Sequence, residues 1–169
     1  MPISPYLREL RARAGPARLV LPSATAIVYG AAGELLLVRQ RDGGVWSTPG
    51  GTVEPDERPA DAAAREAWEE TGLVVEPVRV LAVYGGPGFV VRYPSGDEAQ
   101  YVMTVFECAV RGGALRPDGR ETLEARFWSE AGAAALPLAA WLRPVLPTLF
   151  ARPGATHFHP ASWTPPPGD

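Results

Sequence analysis

Lysine is absent from this chain of 169 residues, and all sixteen basic residues are arginine. That bias carries no functional reading. Cysteine is nearly absent as well. A single thiol, Cys108, excludes an intramolecular disulfide and any cysteine-built zinc site. It lies in an apolar run, the setting of a buried structural thiol rather than a nucleophile. No apolar stretch approaches the ~18 residues that would span a membrane. Residues 1–18 lack the apolar core of a signal peptide. The expected location is therefore cytoplasmic, with no membrane partner. An excess of positive charge is also missing. The formal charge of −3 argues against a stable nucleic-acid complex, which needs clustered cations.

What is present suits one soluble domain with a real core, at 46% apolar and 21% charged residues. The nineteen prolines gather at the ends and in loops, and no internal repeat is visible. Residues 5–14 have helical spacing, with Tyr6, Leu7, Leu10 and Ala14 as packing positions and Gly15-Pro16 as the stop. Arg8, Arg11, Arg13 and Arg18 read as a solvated face, and the segment is a candidate dimer surface.

Residues 24–30 and 34–39 read as a β-hairpin or two neighbouring strands. A turn at 42–44 and a short strand at 45–48 follow, stopped by Pro49-Gly50-Gly51. Residues 73–84 read as extended but interrupted at Pro77. Residues 89–93 and 100–110 form a second strand pair around Pro94-Ser95-Gly96-Asp97, and 124–128 adds a short strand. A C-terminal helix is expected over 137–150, and the Pro-rich tail after Pro153 reads as irregular. Strands with one strong central helix and one terminal helix suggest an α+β or α/β/α layered domain.

Residues 58–71 carry the strongest signal. Pro59 suits a first helical turn, Ala62, Ala63 and Ala64 are strong helix formers, and Gly72 is a natural stop. Ala60, Ala64, Ala67, Trp68 and Thr71 fall on one side, the expected buried stripe. Glu66, Glu69 and Glu70 fall on the other, as neighbours within one turn. Arg65 can pair with Glu69, but no cation at 73 or 74 relieves Glu70. A solvated acidic face and a hard-cation site both fit this helix taken alone. Mg²⁺ is usually held by a few carboxylates together with substrate phosphates. The lead-in Trp46-Ser47-Thr48-Pro49-Gly50-Gly51 tilts the balance, because paired glycines let backbone approach a ligand closely.

Residues 51–73 resemble the signature of the Nudix hydrolases, G-x5-E-x7-R-E-U-x-E-E-x-G-U with U aliphatic. Gly51, Glu57, Arg65, Glu66, Glu69, Glu70, Gly72 and Leu73 all fall in place, and Ala67 is a small choice for its aliphatic position. Trp46-x-x-Pro49-Gly50-Gly51 and Arg126-Phe127-Trp128-Ser129 extend the likeness.

The resemblance implies an α/β/α sandwich around a central mixed β-sheet over residues 22–152. Residues 1–21 are then an N-terminal extension and 153–169 a tail. It also implies hydrolysis of a pyrophosphate bond in a nucleoside diphosphate linked to another moiety: a nucleotide-sugar such as ADP-ribose, a nucleoside triphosphate or a dinucleoside polyphosphate. By the same likeness Glu66, Glu69, Glu70 and the Gly51 carbonyl would ligate Mg²⁺ or Mn²⁺. Glu57 would pair with Arg65 in a structural role. The general base is a glutamate of the box or one on a later loop. Glu121 is favoured there as base or extra ligand, Glu124 as structural, and Glu54 is a weaker ligand candidate. Arg39 and Arg41 are candidates for substrate phosphates. Tyr84, Phe89, Tyr93 and Tyr101 are candidates for base stacking, with core packing the stronger reading for each. Two other classes stand beside this one: a non-catalytic nucleotide-binding module on the same fold, which often loses the acidic set, and an RNA-end hydrolase, which the acidic balance disfavours.

Overall fold

The computed structural model describes residues 4–93 and 95–165. Pro94 of the expected turn and the last prolines of the tail lie outside the described residues. The elements run α1 (Pro5–Ala14), β1 (Leu19–Val28), β2 (Leu35–Gln40), β3 (Trp46–Ser47), β4 (Gly50–Thr52), α2 (Pro59–Thr71) and β5 (Leu73–Tyr84). A 3-10 turn (Pro87–Phe89) leads into β6 (Val90–Arg92), β7 (Glu98–Gly113), β8 (Thr122–Trp128), α3 (Glu130–Ala134), α4 (Leu142–Ala151) and β9 (His157–Phe158). Among these, no helix is long and apolar enough to cross a membrane.

A six-stranded mixed sheet forms the centre, in the order β4-β1-β7-β5-β9 with β6 also on β7. β1 and β7 run parallel, β4 is antiparallel to β1, and β5 is antiparallel to β7 but parallel to β9. The period-2 alternation of β1 divides the core. Ala24, Ala26 and Val28 face α2 with Ala62, Ala63, Ala67 and Phe106. Ile27 faces the other way, into a cluster with Leu81, Val105, Leu142, Leu146 and Leu149 beneath α4. Helices therefore cover both faces of the sheet, the layered α/β/α arrangement.

Several details differ from the sequence expectation. β1 and β2 are not one hairpin ladder. Their strand pairing is a single bridge, Tyr29 to Leu35, and β2 joins β3 and β8 in a separate three-stranded sheet. The short strand expected at 45–48 forms as β3 and stops before Pro49, but Gly50 and Gly51 then open a further strand, β4, paired with Thr25 and Ala24. Pro77 does not interrupt β5, because register shifts on either side absorb it as a bulge. The C-terminal helix begins only at Leu142, and the chain before it is spent on α3 and on a link in which Trp46 bonds Pro137 and Ala139. Pro144 is tolerated in the first turn of α4, where N–H groups have no helical partner. The tail adds β9 to the sheet edge.

Helix α2 ends as expected, with Gly72 left-handed at φ 73°. Its orientation does not match the expectation. The buried residues are Ala62, Ala63, Glu66, Ala67, Glu70 and Thr71, while Trp68 is 59% exposed. The inward arc is thus rotated by about 100°, one residue's turn, from the apolar stripe. Three small alanines let the helix lie close to β1, and that approach turns Glu66 and Glu70 inward.

Candidate active site

The site begins where β4 passes beneath α2. Gly50 donates its N–H to Glu70 Oε2 at 3.1 Å. A side chain at Gly51 would occupy the place of the Glu66 carboxylate, so the glycine lets that carboxylate lie against β4. These two contacts give the paired glycines a physical role that a plain turn would not.

Arg65 organises the rim. Its guanidinium grips Glu57 through two bonds, Nε to Oε1 at 2.8 Å and NH2 to Oε2 at 3.0 Å. It also reaches Glu66 at 2.8 Å, Glu69 at 3.1 Å and the Thr52 carbonyl at 3.2 Å. Hydrogen bonds from Arg65 hold the Glu57 carboxyl below the usual range, even against partial burial. Glu57 in turn accepts the Glu54 N–H at 3.1 Å. The brace expected between Glu57 and Arg65 is therefore formed, and it ties the loop after β4 to α2.

The remaining carboxyls are under-compensated. Burial pushes Glu66 upward in pKa, opposed by Arg65 and reinforced by Glu69 and Glu121. Glu70 is pushed well above the usual range by burial, then by the charge of Glu66; the Gly50 N–H offsets only part. Glu121 is also raised, chiefly by burial, with Asp118, Glu69 and Asp42 adding. Buried carboxylates gathered so closely favour either protons or an added cation.

Among the described residues, no three acidic side chains already stand as a formed metal cage. Arg65 bridges Glu66 and Glu69 instead. The donor set nevertheless fits a hard divalent ion. It consists of oxygens only and, among the described residues, carries more negative charge than the Arg65 guanidinium balances, while Glu70 is 4% exposed and accepts a single N–H there.

Glu121 stands on the loop before β8, and two residues fix that loop. Asp118 accepts the N–H groups of Arg120, Glu121 and Thr122 at 3.0, 3.1 and 2.9 Å. Arg41 donates to the carbonyls of Gly119 and Arg120, each at 2.6 Å, and its own N–H bonds the Glu121 carbonyl. Asp118 was not singled out from the sequence. Its signal is the Asp-Gly pair that folds back on nearby N–H groups.

A cavity of about 500 Å³ opens beside Glu70, Gly50 and Glu121. Its far wall is apolar and aromatic, with Phe89, Tyr93, Tyr101, Met103 and Trp141. Of the four stacking candidates, Phe89, Tyr93 and Tyr101 line this space. Tyr84 is buried behind Phe89, stacked on it at 5.5 Å. Trp141 and Met103 were not anticipated, because only the fold brings α4 and β7 to one wall. Arg39 and Arg41 do not line the cavity. Arg39 faces Glu124 at 3.4 Å, and Arg41 serves the Glu121 loop. Cys108 is buried, with its thiol pushed up to about 12 by burial, the inert structural role expected of it.

Comparison with known proteins agrees with this geometry. The NUDIX domain model matches residues 20–149. A MutT-like protein of Streptomyces ambofaciens is 36% identical over 100 residues, 59% of this chain and 58% of that protein. A putative 8-oxo-dGTP diphosphatase of Bacillus subtilis (strain 168) is 34% identical over 99 residues, 59% of this chain and 60% of that one. The matches thus span about three fifths of these relatives. A crystal structure of an ADP-ribose pyrophosphatase from Streptococcus suis 89-1591 superposes with a TM-score of 0.60 and 26% identity, covering 81% of this chain and 96% of that one. With its acidic helix, its glycine strand and a domain match over most of its length, the chain belongs to the NUDIX family.

Proposed function

We propose that this protein hydrolyses a pyrophosphate bond in a nucleoside diphosphate linked to another moiety, with Mg²⁺ or Mn²⁺ as cofactor. The observation that carries the reading is Glu70, buried and under-compensated at the mouth of an aromatic-walled cavity. Glu66, Glu69, Glu70 and the Gly51 carbonyl would hold the cation, whose chemistry there would be to polarise phosphate oxygens and acidify water.

The chain's own groups do the rest. The cavity takes the nucleoside against its aromatic wall of Phe89, Tyr93, Tyr101 and Trp141, which directs the diphosphate toward α2. Glu121, raised in pKa by burial and by neighbouring carboxylates, takes the proton of the attacking water. The water oxygen bonds to phosphorus as the bridging P–O bond breaks, and the bridging oxygen leaves on the other phosphoryl group. Glu57 and Arg65 hold the loop and helix in place throughout. Arg41 contributes through the Glu121 loop rather than by touching phosphate. The same family resemblance and the absence of a basic stripe favour a small nucleotide over a nucleic acid.

The test is a panel of nucleotide-sugars, nucleoside triphosphates and dinucleoside polyphosphates, with Mg²⁺, Mn²⁺ or chelator, read out by product identity. Metal-dependent release of a nucleoside monophosphate supports the reading. Binding without turnover under every metal condition rejects it in favour of a non-catalytic module.

A further inference from the structure

Phe89 forms part of the cavity wall, yet its own backbone does little to hold it there. It ends the turn Gly85-Gly86-Pro87-Gly88, donating its N–H to the Gly86 carbonyl at 3.1 Å. Gly86 stands at φ 91°, and positions 85, 86 and 88 have no side chain to pack. Such a segment has many conformations open to it. Neighbouring rings must therefore fix the Phe89 ring, which is 5% exposed.

Those rings come partly from the tail. The NUDIX match ends at residue 149, and the chain beyond it is tied to the domain at three points. Arg152 lies 4.0 Å over the Tyr29 ring and pairs with Glu107 at 2.6 Å. Thr156 donates its hydroxyl to the Val80 carbonyl at 2.9 Å. His157 and Phe158 then pair with Ala82 and Val83 as β9. The strap so formed lays two imidazole rings behind the wall. His157 lies 5.8 Å from Tyr84, ring centre to ring centre. His159 lies 5.4 Å from Tyr84 and 6.2 Å from Phe89, and the two histidines meet edge to face at 6.1 Å. Tyr84 is itself stacked on Phe89, so the strap supports Phe89 both directly and through Tyr84. Neither histidine lines the cavity.

We propose that the strap at residues 156–159 is a positioning element for the nucleoside cavity, with His159 holding Phe89 in place on its glycine turn. The inference rests on the reading of this cavity as the nucleoside site. His159 acts through Phe89 and does not itself reach the cavity. The acidic cluster on α2 is held separately, by Arg65 and by β4. Removing the imidazole thus loosens the aromatic wall and leaves the reacting groups where they are. The loss falls on binding rather than on turnover.

The test compares the parent with His159→Ala, His159→Phe and Trp163→Ala. The substrate is whichever of ADP-ribose, GTP and diadenosine tetraphosphate the parent cleaves best with Mg²⁺ or Mn²⁺. His159→Ala raises KM about three- to tenfold, the scale of one or two lost ring contacts, and leaves kcat nearly unchanged. His159→Phe keeps a ring and restores the parental KM. Trp163→Ala, in the same tail but 76% exposed, leaves KM unchanged. Amide exchange of the unliganded protein reads the wall without turnover: His159→Ala speeds exchange at residues 89–92 and leaves residues 59–71 unaltered. An unmoved KM, a loss confined to kcat, or exchange that is unchanged at 89–92 or rises equally across the chain overturns the proposal. If the parent cleaves none of the three nucleotides, the hydrolase reading falls. Exchange alone then decides: local acceleration at 89–92 upholds the strap as the support of the wall, and none overturns it.

Discussion

Glu70 accepts the backbone N–H of Gly50 across the gap between α2 and β4, and among the described residues this is the one hydrogen bond to its buried carboxylate. The neighbouring Glu66 is shared with Arg65, whereas Glu70 is not. Two glutamates one turn apart are thus held unequally, one by a guanidinium and the other by a backbone N–H.

Arg65 is the scaffold's anchor. Its removal leaves Glu57 and Glu66, whose side chains are 16% and 11% exposed, without a counter-charge. Arg65→Ala is expected to cost about 3 kcal/mol, as for other broken partly buried pairs. Arg65→Lys keeps the charge but loses the two-pronged grip on Glu57, so an intermediate loss is expected. Urea unfolding of the parent and both variants measures the order.

Much of this was legible in the sequence. The α2 segment, its glycine stop, the Glu57–Arg65 pair and the candidate status of Glu121 all follow from spacing and from the family likeness. What escaped was decided by tertiary contacts. Helical periodicity placed Trp68 inside because it is apolar, yet close packing of Ala63 and Ala67 on β1 turns the helix the other way. Trp141 and Met103 reach the cavity from distant parts of the chain, and no local pattern reports that. Arg41 looked like a phosphate ligand because of its charge, but its fork is spent on two loop carbonyls.

The rotated face of α2 has a simple consequence. Trp68→Gln should change stability by less than about 1 kcal/mol, as for an exposed position. Ala67→Leu, at a site with no exposed surface, is expected to cost about 1–3 kcal/mol by overpacking. Thermal unfolding of the two variants compares them directly, and the reverse order would restore the apolar stripe as the buried face.

Asp118 positions Glu121 without touching the cavity. Asp118→Ala frees three N–H groups and loosens the loop, so kcat should fall by roughly ten- to a hundredfold, the scale of a misplaced catalytic group. Asp118→Asn retains an acceptor oxygen and should recover most of that loss. Steady-state kinetics on both variants, with folding checked by circular dichroism, provides the comparison.

Acid stability should depend on Glu107, which joins β7 to Arg79 at 2.7 Å and Arg152 at 2.6 Å. Burial disfavours its charge, but hydrogen bonds from Arg152 and Arg79 outweigh that and hold its carboxyl below the ordinary 4.5. In the window between the ordinary and the lowered value, the unfolded chain binds more protons than the folded one. The contribution is thus complete above pH 4.5 and is lost as pH falls through the folded value. Glu107→Gln should be less stable than the parent at neutral pH, and the gap should close on acidification. Melting curves from pH 7 down to pH 3 test the trend.

Glu70→Gln isolates the central claim. The amide still accepts the Gly50 N–H and removes a poorly compensated buried charge. In metal-free buffer the variant should be more stable than the parent by about 1–2 kcal/mol. Its kcat with Mg²⁺ or Mn²⁺ should fall at least ~100-fold, several kcal/mol of barrier. Turnover of the best substrate by parent and Glu70→Gln is the most direct measurement. A stabilised but inactive variant is the expected result, and one that hydrolyses at the parental rate contradicts the account.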